Sequence, residues 1–413
     1  MKHLIILGAG TAGTLMAWRL RRALPAADWQ IQLIDQDDEH VYQPGLLFIP
    51  FAMDQAEDDR RSRRALMPEG VELILDGVLD VDPVSRTVTT GGGARLPYDL
   101  LIVATGTATE PEATEGLTGE GWRRTASDFY SLPGALALRG LLDGFTEGRL
   151  VVNIAELPIK CPVAPLEFAL LADAFFRARG RRDAVQIDYV TPLSGAFTKP
   201  VASKLLGELL DQRGIRVVPD FSLASVDGAG RSLRSYGGAS VDYDLLVSVP
   251  LHFGAKFLRG SAFAAEDGFV RIDPHTLEVK GQERVFAIGD ATDAPTSKAG
   301  AVAHFQGEVL IENVLRAIRG EPALPAFDGH ANCFIESGDG KAMLLDFNYT
   351  TEPLPGRFPL PGLGPFTLLE ESHVNHWGKR AFRWVYWNLL LRGKELPLDH
   401  RMLMAGKHPP SAA

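Results

Sequence analysis

The chain has 413 residues, 46% hydrophobic and 23% charged, with 42 Gly and 27 Pro. This is a globular composition for about two or three domains. A formal charge of −10 excludes nucleic acid as the main partner, because phosphate recognition needs a basic face. Two cysteines exclude a disulfide-stapled secreted scaffold and a four-thiolate metal or cluster site, so no metal is expected.

The first predicted element is an apolar strand, Leu4 to Leu7, within LIILGAGTAG. It runs into Gly8, Gly10 and Gly13, and a helix with Met16, Ala17 and Leu20 follows. The opening MKHLIILGAG resembles a short signal core, but its apolar run is brief and the glycine pattern accounts for it, so no cleaved leader is expected. Asp35 closes the next strand, QIQLID. Strand, three glycines, helix and acid in this order form a βαβ dinucleotide fingerprint. The glycines admit a pyrophosphate to the backbone, and the carboxylate accepts from a ribose diol while repelling a 2′-phosphate. FAD or NAD is therefore expected over NADP.

YDLLIVATGT (98–107) is a buried strand ending in a turn at Thr105 and Gly106, and YDLLVSVP (243–250) is its local copy. Between them the α/β alternation repeats: VVNIA (151–155), a helix from Pro165 to Arg179, QIDYVTP (186–192), a helix from Ser203 to Gln212, then IRVVP (215–219). The loop after the first of these strands reads Pro158, Ile159, Lys160, Cys161 and holds no glycine. The chain looks built for one dinucleotide. ERVFAIGDAT (283–292) is a strand entering Gly289 and Asp290, and a helix with His304, Gln306, Glu308 and Leu315 follows. The ATG turn and the GD pair, in that order after the fingerprint, favour FAD. Asp290 is expected on the ribityl hydroxyls, although GD alone also reads as a plain turn. Lys298, before a helix start, suits the negative charge of a reduced flavin; a solvated lysine is the alternative.

Cys161 falls at a strand–helix turn, at the carboxyl end of a strand, where ligands sit in such sheets. Lys160 beside it would favour the thiolate. Cys333 lies in GHANCFIE, ahead of the strand AMLLDFNY (342–349), with His330 nearby. The two thiols are either separate buried hydrophobes or a redox pair whose Cα atoms approach within about 7 Å. Glu167 is a candidate proton acceptor or a solvated acid at a helix start. Past a Pro- and Gly-rich stretch at 353–365, residues 373–392 interleave Trp377, Phe382, Trp384, Tyr386 and Trp387 with Lys379, Arg380, Arg383 and Arg392. Such a helix suits an anionic membrane surface; packing on the protein's own core or in a dimer contact is the rival. No apolar run approaches the roughly 18 residues of a spanning helix.

At these residues the chain resembles the sulfide:quinone oxidoreductases, including the mitochondrial-type branch, and more distantly the flavoprotein subunit of flavocytochrome c sulfide dehydrogenase. The likeness covers nearly the whole length: GAGTAG, the ATG turn, KCPVAPLEFALL, GDAT with SKAGAVAHFQ, GHANCFIESGDGKAMLLDFNYTTEPLP and YWNLLLRG. KCPVAP and the block around Cys333 are its specific parts. The resemblance implies that Cys161 and Cys333 are redox thiols beside the flavin. Sulfide then attacks their disulfide, leaving a persulfide on Cys333 and a thiolate on Cys161; electrons pass to FAD and on to a quinone. The loop at Val249–Phe253 and the C-terminal segment, with Phe334, Phe347 and Phe366, are expected to wall the quinone.

The chain also departs from the family. A third cysteine of some bacterial members is absent, with Arg123, Arg124 and Thr125 in its neighbourhood. Those members carry the second thiol near Met343, and Phe197 stands where some carry an imidazole.

The implied fold class is α/β. It comprises two Rossmann-like, doubly wound domains of the disulfide-reductase flavoprotein type and a C-terminal α+β membrane-associating region. The expected bounds are 1–110 with 275–325 for the FAD-binding domain, 111–274 for the second nucleotide-type domain, and 326–413 for the C-terminal region. Sulfide, quinone and a membrane surface are the expected partners, through peripheral attachment on the cytoplasmic face, and a homo-oligomer is left open. A type II NADH:quinone reductase-like flavoenzyme, a soluble sulfide:cytochrome c reductase subunit and a non-catalytic flavin-binding redox sensor are the alternatives.

Overall fold

The computed structural model describes residues 1–360, 364–396 and 398–408. Two five-stranded sheets, parallel throughout, position the site. The first has the order Val285–Ala287, Leu100–Val103, Lys2–Leu7, Trp29–Asp35, Val71–Leu75. Leu4 to Leu7 and Leu100 to Val103 are fully buried, as expected for parallel strands covered on both faces. The helices Thr11–Ala23 and Gly300–Arg319 pack against each other beside this sheet. The edge strand Val285–Ala287 is added only after the chain has completed the second sheet.

The second sheet has the order Ala126–Ser127, Leu245–Val249, Gly148–Ile154, Val185–Val190, Ile215–Val218. Its helices are Ala164–Ala178 and Pro200–Gln212. The second begins three residues ahead of the expected Ser203. Pro200 accounts for this: its fixed φ suits a first helical turn, and its missing N–H is no loss there.

Each half also carries a three-stranded antiparallel sheet that the sequence reading does not contain, just ahead of its YDLL segment. These are Val78–Asp82, Thr87–Thr90 and Arg95–Pro97 in the first half, and Leu223–Asp227, Ser232–Ser235 and Ser240–Asp242 in the second.

A four-stranded C-terminal sheet follows, in the order Ala331–Gly338, Lys341–Phe347, Gly364–Leu368, Gly356–Leu360. Cys333 lies ahead of Lys341–Phe347, as expected, but within a strand of its own that the sequence does not announce, opposite Leu345. The tail helix His373–Val385 starts at Ser372, whose Oγ accepts from the Asn375 amide at 3.1 Å. It packs on Lys341–Phe347 and ends in a wider turn, Tyr386–Leu390. Buried apolar residues of both large sheets form one cluster, which includes Cys333 and has Cys161 packed against it.

Candidate active site

The nucleotide end is built by backbone packing. Gly8 adopts φ +97°, and a Cβ there would lie 2.5 Å from the Ala104 carbonyl oxygen. A Cβ on Gly13 would collide with the Gly8 carbonyl oxygen. These two glycines are demanded by the strand–turn–helix itself. Gly10 differs: a Cβ there would meet nothing within 4 Å, so this turn opens on a crevice. The helix after it has no side-chain cap, which leaves first-turn amides free for an anion.

Asp35 Oδ2 accepts from the Ala9 amide at 2.6 Å, and Oδ1 from Gln36 at 2.7 Å. Burial raises the carboxyl's pKa against the pull of Arg63 and these amides. Across the crevice, Gly106 has φ +65° with open space at its Cβ position. The buried hydroxyls of Thr105 and Thr107 have no partner among the described residues. Gly289 has φ +73° and its amide donates to Gln306 Oε1 at 2.7 Å; burial raises the pKa of Asp290 beside it. Free amides, orphaned hydroxyls and half-buried acids fit a flavin dinucleotide.

Lys298 is not solvated. Its Nζ donates to the carbonyls of Asp290 at 3.0 Å and Thr292 at 2.7 Å, 4.1 Å from the Phe269 ring centroid. Burial lowers its pKa to about 8. It fastens the loop that carries Asp290.

The sulfur end lies at the carboxyl edge of the second sheet. Cys161 has φ +48°, in the left-handed region. Its amide donates to the Lys298 carbonyl at 2.7 Å, and its own carbonyl accepts from the Ala164 amide at 2.9 Å and the Tyr130 hydroxyl at 3.3 Å. Backbone groups that would face a phosphate in a nucleotide loop are engaged here within the protein.

Cys161 is half-buried and Cys333 buried, both as free thiols. Burial, then the charges of Glu167 and Cys333, raise Cys161 well above the ordinary thiol range. Burial and Glu167 push Cys333 up to about 12, and Lys379 opposes both shifts. Each thiol thus feels the same carboxylate, and the fold brings Cys333, from a distant part of the chain, into the neighbourhood of Cys161 and Glu167.

Glu167, in the first turn of Ala164–Ala178, is 1% exposed and not a solvated acid. Its Oε1 accepts from the Glu336 amide at 2.6 Å and from Lys379 Nζ, which also donates to the Phe334 carbonyl at 3.3 Å. Burial raises its pKa and Lys379 pulls it down.

Phe334 and Phe366 meet edge-to-face with centroids 5.3 Å apart. They close over Gly378, where a Cβ would lie 3.1 Å from Phe334 Cζ and collide with the edge of the Phe366 ring. Phe347 is not with them. It pairs with Ala331, on the sheet face that carries Cys333, and Lys199 Nζ stands 5.4 Å from its ring centroid.

The sequence reading also missed several polar groups around the site. His252, in the short strand His252–Phe253 that follows Leu245–Val249, is buried edge-on to Tyr130 with centroids 5.1 Å apart. Its Nδ1 bonds the Pro250 carbonyl at 2.9 Å, its Nε2 has no partner among the described residues, and burial lowers its pKa to about 3. His330, singled out near Cys333, instead bonds Asp346 at 2.7 Å and stacks on Phe305.

The tail helix turns its cations inward. Lys379 reaches Glu167, Arg380 bonds Asp54 at 2.7 Å, and Arg383 bonds Asp54 at 3.2 Å. Trp377 and Trp384 face outward, 68% and 62% exposed, with Val374 on the same stripe. Tyr386, Trp387, Leu390 and Leu391 are buried against Tyr42 and Leu66, and the Tyr386 hydroxyl bonds His40 and Thr11 at 2.7 Å each. The spacing of 376, 379, 380 and 383 was the available signal for an inward polar face. Among the described residues no helix is long and apolar enough to cross a membrane.

Comparison with known proteins matches residues 2–133 to the family model described as pyridine nucleotide-disulphide oxidoreductase. The mitochondrial sulfide:quinone oxidoreductase of Mus musculus is 28% identical over 95% of this chain and 86% of its own length. That of Dictyostelium discoideum is 24% identical over 95% of this chain and 86% of its own length. The crystal structure of the sulfide:quinone oxidoreductase from Aquifex aeolicus shares the fold with TM-score 0.77 and 20% identity, covering 95% of this chain and 92% of that one.

Proposed function

We propose that this chain, a homologue of the sulfide:quinone oxidoreductases over nearly its whole length, oxidises sulfide with FAD and delivers the electrons to a quinone. The single observation that carries this reading is the shared neighbourhood of three groups from three elements: Cys161 on the loop fastened to Lys298, Glu167 on the helix after it, and Cys333 on the strand Ala331–Gly338, each thiol feeling the Glu167 carboxylate. Residues 1–110 with 275–325 would bind FAD, 111–274 would carry Cys161 and Glu167, and 326–413 would supply Cys333 and the membrane-facing helix.

When bound, FAD accepts two electrons from the sulfur pair and yields them to the quinone. Gly8, Gly10 and Gly13 with the helix amides would hold its pyrophosphate, Asp35 its ribose, and Thr105, Gly106, Gly289 and Asp290 the ribityl side. Lys298 holds the Asp290 loop in place.

With Cys161 and Cys333 joined, HS⁻ attacks the Cys333 sulfur. The S–S bond breaks, a persulfide forms on Cys333 and Cys161 departs as thiolate. The Lys379 ammonium favours that thiolate against the burial and negative charge that oppose it. A second thiol or sulfide ion takes the outer sulfur and leaves Cys333 reduced. Glu167 accepts the remaining thiol proton as the two sulfurs rejoin and give up two electrons. The Phe334–Phe366 pair would wall the quinone ring, with Phe347 on the sulfide side of the sheet. The outward Val374, Trp377 and Trp384 stripe would rest in the headgroup region, giving peripheral attachment.

Anaerobic addition of sulfide should bleach the flavin, and NADH should not. Cys161→Ser and Cys333→Ser should each abolish bleaching with FAD still bound. Bleaching by NADH would favour a type II NADH:quinone reductase. Bound FAD without sulfide-dependent quinone reduction would favour a sensor. Wild-type turnover in either serine variant would overturn the paired-thiol mechanism.

A further inference from the structure

Quinone reduction consumes two electrons and two protons. One proton accompanies the electrons from the reduced cofactor, and the other needs a donor in the protein. Glu167 serves the thiol side. A second buried carboxylate, unused in the steps above, lies close to it. Glu336 is fully buried, two residues beyond Phe334 and therefore on the same face of the sheet.

Its Oε1 accepts from His376 Nδ1 at 2.6 Å. Its Oε2 is enclosed without a hydrogen-bond partner among the described residues. Leaving such an oxygen unsatisfied costs about 1–3 kcal/mol, so the fold retains this group at a disadvantage. His376 sits two residues before Gly378, on which Phe334 and Phe366 close. Its side chain is 13% exposed and edge-on to the exposed Trp377. The dyad thus runs from the tail helix to the buried sheet face that also carries Phe334.

We propose that Glu336 protonates the quinone and that His376 reloads it from the surface. The proposal rests on the sulfide:quinone reading and on Phe334 and Phe366 as walls of the ring site. Two electrons and the cofactor's proton convert the quinone to a quinol monoanion. The Glu336 O–H bond then breaks as the second quinol O–H forms. The carboxylate so produced takes the Nδ1 proton of His376 as Nε2 takes one from water in the same step, the hydroxide passing to bulk solvent, and exchange with water returns the Nδ1–H tautomer before the next turnover.

The test separates the two half-reactions in FAD-loaded Glu336→Gln and His376→Gln. Bleaching by sulfide should stay at the wild-type rate in both. Reoxidation by decylubiquinone should fall by roughly a hundredfold in Glu336→Gln and about tenfold in His376→Gln. Equilibrium binding of decylubiquinone to the oxidised holoenzyme should be unchanged, and added imidazole should restore His376→Gln. Wild-type reoxidation in Glu336→Gln, or a loss explained wholly by weaker quinone binding, overturns the proposal. If Glu336→Gln does not fold, His376→Gln decides: reoxidation at the wild-type rate overturns it, and imidazole-restored loss supports it. A wild-type protein that bleaches with sulfide but never passes electrons to quinone removes the underlying reading instead.

Discussion

Cys161 and Cys333 sit where a thiolate is disfavoured, first by burial and then by Glu167. The reduced pair is therefore neutral at physiological pH. Iodoacetamide should modify it slowly at pH 9, where an exposed thiol with pKa about 8.5 is mostly ionised. The folded state holds these protons more tightly than the unfolded chain does. The resulting stability is present below about pH 8.5 and is lost as pH rises towards the folded value of about 12 for Cys333. Glu167→Gln removes a negative neighbour from both sulfurs and leaves Lys379 as an unopposed cation. Both thiols should then acidify and alkylate faster at fixed pH. Because the change strips a buried ammonium of its partner, it should also cost about 3–5 kcal/mol in a denaturation measurement. Unchanged alkylation would separate Glu167 from the sulfur chemistry.

The tail helix carries its charges inside and its tryptophans outside. Vesicle binding should therefore depend on Trp377 and Trp384 far more than on anionic lipid or salt. Trp377→Ala with Trp384→Ala should release the holoenzyme from neutral vesicles in a co-sedimentation assay while FAD content stays constant. Retention of this double variant would reject the helix as the anchor. Deleting residues 373–413 is the poorer experiment, because it also removes buried Tyr386, Trp387, Leu390 and Leu391.

The sequence distinguished this stripe as basic and aromatic but not which side faced in. Local periodicity names a face without naming its partner, and Asp54 and Glu167 are hundreds of residues away. The strand that carries Cys333 went unread for a related reason: Gly329, His330 and Asn332 look turn-like, and only pairing with Leu345 reveals it. The fingerprint glycines were legible because their constraint is local, a carbonyl oxygen too close for any Cβ. Glu336, His376 and His252 lay beyond reach because their roles come from tertiary neighbours.

At the scale of the whole molecule, two similar halves share a plan and differ at one loop. Each has a parallel sheet and a small antiparallel sheet ahead of a YDLL segment. The first half ends its strand in an open glycine turn, and the second fastens its loop to Lys298. Denatured holoenzyme should release one FAD per chain, and neither NADH nor NADPH should raise its melting temperature. A shift with NADH would mean that the second half retains a nucleotide site.

The backbone at Cys161 bends in a way that glycine adopts freely and cysteine does not. A glycine at this spot would relax roughly 1 kcal/mol of conformational strain while deleting the sulfur. On the paired-thiol reading, thermostability screens that score melting alone would favour loss of the sulfur at residue 161, and engineering of this loop should hold that position fixed.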